Sequence, residues 1–232
     1  MCTVTIVSHR GGCTLMCNRD ERETRLPAIG PRVHRAGPRQ AVYPVDPESG
    51  GTWIGANDAA LVIALLNRTS VTPPSGPAPT RSRGLIVPML LRCANVSQAL
   101  SAAFAINPAS YDRFQLLAIA GNDVHVIESN GASLSFERTR STTPLLFTSS
   151  SLGDGIVEGP RRHLFEEMVL GSTGSRLRAQ RLFHDHQWSD RPEVSVRMAR
   201  DGARTVSRTC VSVTATQVRL IYEPLGRRNR AA

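Results

Sequence analysis

A chain of 232 residues with 41% hydrophobic side chains is long enough to bury a sizeable core. Its 28 basic residues are all arginine and leave a net charge of +9, which permits contact with anions, phosphate-bearing cofactors or membrane surfaces. The arginines are scattered, however, and only 5% of residues are aromatic, so the basic blocks and stacking platforms of a nucleic-acid binder are missing.

The chain opens on two strand-like runs, 2–8 and 13–17, joined by His9-Arg10-Gly11-Gly12, whose glycines accept the positive φ of a tight hairpin. Further strands are expected at 51–56, 60–66, 114–120, 124–128, 133–137, 145–148, 205–213 and 217–222, several separated by turn signals such as Gly121-Asn122-Asp123 and Ser129-Asn130-Gly131. Helices are expected at 85–93, at 96–106 with Asn95 or Ser97 as cap, at 160–170 and at 175–184. The stretch 69–83 carries four prolines, which fix φ and remove backbone donors, and it reads as a surface loop or flap. With strands at both ends and helices in the middle, residues 1–226 read as one α+β domain, followed by an arginine-rich tail at 227–232 that frays.

The five cysteines (Cys2, Cys13, Cys17, Cys93 and Cys210) are an odd set in a chain too long to need staples, which predicts a reduced, cytoplasmic protein. No charged segment precedes an apolar one at the N-terminus. The longest apolar runs, 59–66 and 85–91, fall far short of the ~20 residues that cross a bilayer.

Hairpin register brings the chemistry together. With Gly11-Gly12 as turn residues Cys2 faces Glu21; with Arg10-Gly11 it faces Arg19, and either way the cluster Asn18-Arg19-Asp20-Glu21 lands beside Cys2. An N-terminal cysteine, exposed by loss of Met1, carries its own base, because an α-amine titrates near 7.7–8.0. A neighbouring cation lowers the thiol pKa from ~8.5, Asp20 can hold the ammonium, and oxyanion donors must come from other strands. The residues alone leave a second reading open, since Cys2 shares a strand face with Val4 and Ile6 as a small buried side chain does, and Asn18 to Glu21 can be a solvated turn with a local ion pair.

Other patterns carry less. His184-Asp185-His186 has no third ligand at a supporting spacing and reads as a solvated helix end, so no metal or cofactor is expected. Cys13 and Cys17 read as buried packing, and Trp53 as core with a pocket wall as the alternative. No phosphate loop, serine elbow or histidine triad occurs.

Met1-Cys2-Thr3, the intact Asn18-Arg19-Asp20-Glu21, Gly51-Thr52-Trp53-Ile54-Gly55-Ala56-Asn57, Leu65-Leu66-Asn67-Arg68 and, more weakly, Ser207-Arg208-Thr209 resemble the NRDE family, also called the transport-and-Golgi-organisation family. The resemblance implies an N-terminal-nucleophile hydrolase fold, a four-layer αββα sandwich of antiparallel sheets. It brings suggested roles around acyl-CoA or lipid metabolism and haem handling.

A more distant resemblance, to choloylglycine hydrolase and penicillin V acylase, implies Cys2 as nucleophile with Asn18 and Asp20 matched. That group's first arginine is replaced by Cys17, with Arg19 two residues on and on the same strand face, and Arg208 resembles its second. Ser149 stands where the group carries an oxyanion asparagine. Either Ser149 acts through water, or Asn57 and a backbone amide take over, or the hole is impaired.

Two functions follow as expectations. One is a cysteine amidohydrolase cutting a non-peptide C–N bond of an acylated small molecule. The other is a non-catalytic acyl-CoA, lipid or haem carrier on the same fold, with Arg19 and Arg208 as anion partners. Neither involves nucleic acid or an integral membrane segment, and a homo-oligomer through the helices is compatible with both.

Overall fold

The computed structural model describes residues 2–69, 80–214 and 217–226, so most of the proline-rich stretch and the arginine-rich tail lie outside the described residues. The first hairpin pairs β1 (Cys2–His9) with β2 (Gly12–Arg22) so that Cys2 faces Arg19, which settles the turn as Arg10-Gly11. Gly11 takes φ +93°, a conformation that side chains with a Cβ rarely adopt. Next come β3 (Ile29–Ala36), β4 (Arg39–Val45), β5 (Ile54–Asn57) and β6 (Leu61–Asn67), then the helices α1 (Ile86–Leu90) and α2 (Val96–Phe104). A meander of β7 (Phe114–Ala120), β8 (Asp123–Ser129), β9 (Leu134–Arg140) and β10 (Leu145–Thr148) leads to α3 (Asp154–Phe165) and α4 (Arg176–Asp185). The chain closes with β11 (Ala199–Arg200), β12 (Ala203–Thr214) and β13 (Val218–Pro224).

These strands form two antiparallel sheets. One runs β10-β1-β2-β12-β11, with β13 also paired to β12; the other runs β3-β4-β5-β6-β7-β8-β9. Alternation along each strand assigns its two faces to two different cores. Val4 and Ile6 of β1 meet Val62, Ala64 and Leu66 of β6 between the sheets. The intervening Leu61, Ile63 and Leu65 turn outward to α1 and α2, packing on Ile86, Leu90 and Ala99. Val7 turns the opposite way, to Leu164, Phe165 and Phe183 of α3 and α4. The result is the αββα sandwich expected, each sheet covered by helices on one face and by the other sheet on the other.

Helix ends follow local chemistry. Asn95 caps α2 by accepting from the Gln98 amide and Ser175 caps α4 by accepting from Arg178, whereas α3 begins six residues before the expected start, with Pro160 inside it. The expected strand at 51–56 is shortened to Ile54 onward. Gly51 instead meets the turn at Arg83–Leu85 so closely that a Cβ there would stand 2.4 Å from the Gly84 carbonyl carbon, and the Thr52 amide donates to Gly84 O at 2.9 Å. That contact fixes Arg83 at the mouth of the cavity described next.

Candidate active site

Where β1 begins, a cavity of about 290 Å³ is bounded by Cys2, Arg19, Asp46, Trp53, Asn67 and Arg83, among others. Arg19 stands directly across the strand pair from Cys2, with its guanidinium 4.3 Å from the centre of the Trp53 ring. Its Nη2 lies 2.5 Å from Asp46 Oδ2 and 3.3 Å from Glu21 Oε2, and Arg25 Nε reaches the same Asp46 oxygen at 2.8 Å. Burial works to raise the Asp46 carboxyl, but the hydrogen bond from Arg25 and the charges of Arg19 and Arg25 outweigh it and hold the group below its ordinary value. Asp46 lies in a segment between β4 and β5 that carries no motif, and the sequence reading missed it.

Cys2 is 3% exposed and shares its strand face with Cys17, one hairpin step away. The neighbouring Cys17 thiol favours the Cys2 thiolate and is itself raised well above its ordinary value; burial opposes the first shift and adds to the second, the charge of Asp20 also opposes the Cys2 shift, and Arg19 favours it. Cys17, expected as buried packing, is buried, with its thiol directed to Asn18 O at 3.8 Å. Trp53 is both core and cavity wall.

The backbone of Cys2 is gripped by Ser149. The Cys2 amide donates to Ser149 Oγ at 3.3 Å, and the Ser149 amide donates to Cys2 O at 3.0 Å.

Asp20 lies on the other face of β2, accepting from Thr205 Oγ1 at 2.6 Å. Burial raises its carboxyl, opposed by the charge of Arg161. Arg161, which the sequence reading did not single out, is fully buried in α3. It donates to Thr3 Oγ1 at 2.9 Å, Thr148 Oγ1 at 2.7 Å, Val194 O at 3.0 Å and Ser195 O at 2.8 Å. No pattern flags such a residue, because a single arginine in a helix of an arginine-rich chain looks like any other.

Three expected site residues are placed elsewhere. Asn57 spends its amide on Leu91 O and Cys93 O and its carbonyl on the amides of Ala59 and Leu61, which pins α1 to the β5–β6 turn and leaves nothing for an oxyanion. Asn18 faces the helices and donates to His184 O and Val196 O. Arg208 is closed off by Asp185 and Glu223, each at 2.7 Å. The same strand alternation that aims Cys2 and Arg19 into the sandwich aims Asn18 and Arg208 out of it.

His184 corrects another expectation. It is fully buried rather than solvated, with Nε2 2.8 Å from Thr5 Oγ1, and burial, together with the charges of Arg208 and Arg161, depresses its pKa to about 3. The unfolded chain takes up this proton near pH 6.5 and the folded one only near 3. The stability tied to neutral His184 is therefore full above about pH 6.5 and drains away as pH falls toward 3. His184→Gln, with no proton to bind, is expected to show a shallower loss of stability over that window in acid titrations followed by circular dichroism; an unchanged slope would assign the acid transition to other groups.

Comparison with known proteins agrees with the architecture. The family model of Transport and Golgi organisation 2 matches residues 1–184. An N-acylethanolamine-hydrolyzing acid amidase (NAAA) ortholog from Caenorhabditis elegans superposes with a TM-score of 0.63 at 12% identity, covering 95% of this chain and 100% of that one. A penicillin V acylase from Agrobacterium tumefaciens gives 0.51 at 11% identity over 97% and 86% of the two chains. A mutant of the conjugated bile acid hydrolase from Clostridium perfringens gives 0.50 at 12% identity over 98% and 97%. At such identities the likeness is one of fold. No curated protein matches the chain, and no helix among the described residues is long and apolar enough to cross a membrane.

Proposed function

The chain belongs to the Transport and Golgi organisation 2 family and has an N-terminal-nucleophile hydrolase fold, and from these premises we propose that it is an amidohydrolase whose nucleophile is the thiol of Cys2. One observation carries the reading: the Cys2 side chain borders a cavity while standing opposite a buried arginine and on the same strand face as a second buried thiol, Cys17. Cys17 and Arg19 favour the thiolate, the form that attacks carbon. Loss of Met1 converts the Cys2 nitrogen, already held by Ser149 Oγ, into an α-amine, a group that in unperturbed peptides titrates near 7.7–8.0 and can take a thiol proton. The buried carboxylate of Asp20 offsets the charge of the ammonium so formed.

In the reaction, Cys2 Sγ bonds to the substrate carbonyl carbon and the carbonyl oxygen becomes an oxyanion. The C–N bond then breaks as the departing nitrogen takes the proton from the ammonium, leaving a thioester at Cys2. Water, deprotonated by the same amine, adds to the thioester carbon, the C–S bond breaks, and the thiol recovers its proton. The oxyanion needs a preorganised donor, and the amide of Asn67, which borders the cavity with Cys2, takes the role that Asn57 does not.

Mass spectrometry of the intact, natively expressed protein is expected to find Met1 removed, and that material is expected to release amine from a panel of short N-acyl amides. Quantitative retention of Met1 would leave Cys2 without its base and sink the reading.

A further inference from the structure

Resting on that reading, the wall of the Cys2 cavity says which amides fit. Four arginines border it (Arg19, Arg22, Arg25 and Arg83) against two carboxylates, Glu21 and Asp46. Arg19 and Arg25 are the ones those carboxylates hold, through contacts of 2.5–3.6 Å. Arg22 sits exposed at the rim. Arg83 is different: it is half-buried, Nη1 is anchored on Arg113 O at 2.9 Å, and the contact to Asp112, a residue outside the cavity that is itself 56% exposed, is a loose 3.8 Å. Burial alone would push its guanidinium toward the neutral form, a cost that a bound anion relieves. The backbone beneath it is held by the Thr52 amide on Gly84 O, so the fork is presented from a fixed turn.

We propose that Arg83 is the specificity-determining residue of the site and that the substrates are short amides carrying a carboxylate or a phosphate. A guanidinium fork matches either anion bidentately. The apolar part of the wall is small, chiefly Trp53 and Leu65, and about 290 Å³ leaves little room for a long acyl chain.

Three probes with one acyl group separate the possibilities: N-butyrylglycine, N-butyryl-O-phosphoethanolamine and neutral N-butyrylethanolamine. Calorimetric binding to the full chain bearing Cys2→Ala, which cannot turn them over, reads recognition independently of catalysis. At least one anionic probe is expected to bind tenfold or more tightly than the neutral one, with a preference that weakens in salt, collapses in Arg83→Met and returns in part in Arg83→Lys; the tighter of the two anions identifies the group. Equal binding of all three, no binding of any, or a preference that survives Arg83→Met overturns the proposal. Turnover by the unsubstituted protein is scored separately. A chain that binds the anionic probes but hydrolyses nothing, with Met1 removed, would defeat the amidohydrolase reading and leave Arg83 as an anion site.

Discussion

If Cys2 is the proposed nucleophile, Cys2→Ala is expected to lower amide hydrolysis by at least about 10³-fold in kcat, since the nucleophile and its thioester would be lost together. The fold should survive. Cys2 is small and sits at the start of β1, where Ser149 holds its backbone, so removing one sulfur costs on the order of 1 kcal/mol. Cys2→Ser discriminates further: a hydroxyl keeps the volume but is not ionised by Cys17 and Arg19 near neutral pH, so it should be nearly as inactive as alanine. Cys17→Ala should act through protonation instead. With the Cys17 thiol gone, the Cys2 pKa is expected to rise, and the alkaline shift shows in the pH dependence of alkylation by iodoacetamide as well as in activity. Residual hydrolysis by Cys2→Ala within tenfold of the unsubstituted protein would mean that another group does the chemistry.

The hairpin that sets Cys2 against Arg19 is legible in the sequence because both of its signals are local. A glycine-containing turn sets the register, and the register decides what stands opposite Cys2. Most of the remaining strands announced themselves by apolar runs, as at Phe114–Ala120. β3 and β4 did not. Pro31 falls in the register shift between Ile29 and Arg32, and the edge position leaves much of Ile29–Ala36 exposed, so neither alternation nor a buried run marks it.

The site divides along the same line. The pairing of Cys2 with Arg19 follows from strand register, whereas Asn57, expected as an oxyanion donor, serves a structural task, the turn that fastens α1. Asp46, Asn67 and Arg83 converge on Cys2 from separate segments of chain, and only the closed sandwich sets them around one cavity. Sequence spacing holds no record of such long-range convergence.

Arg161 is the extreme case of that illegibility and the residue whose loss should cost most stability. Its guanidinium has no solvent exposure and four hydrogen bonds, two to hydroxyls and two to carbonyls. The hydroxyls belong to Thr3 and Thr148, which are paired across β1 and β10, so the cation ties the strand that carries Cys2 to the strand that leads to Ser149. The carbonyls of Val194 and Ser195 tie the same point to the segment before β11.

Arg161→Met keeps the apolar stem but strands these acceptors and removes the charge that offsets buried Asp20. Leaving buried acceptors unpaired in this way costs about 1–3 kcal/mol each, together a large share of the ~5–15 kcal/mol that holds a typical domain together. Urea unfolding should show the midpoint falling with little change in slope. Arg161→Lys should recover only part of the loss, because one ammonium cannot span four acceptors on three segments. Asp20→Asn in the Arg161→Met background should cost less than Asp20→Asn alone, as expected if the two charges are coupled. If Arg161→Met lowers stability by less than about 1 kcal/mol, the clamp is not what aligns Cys2 with Ser149, and the β1–β10 pairing must supply that alignment by itself.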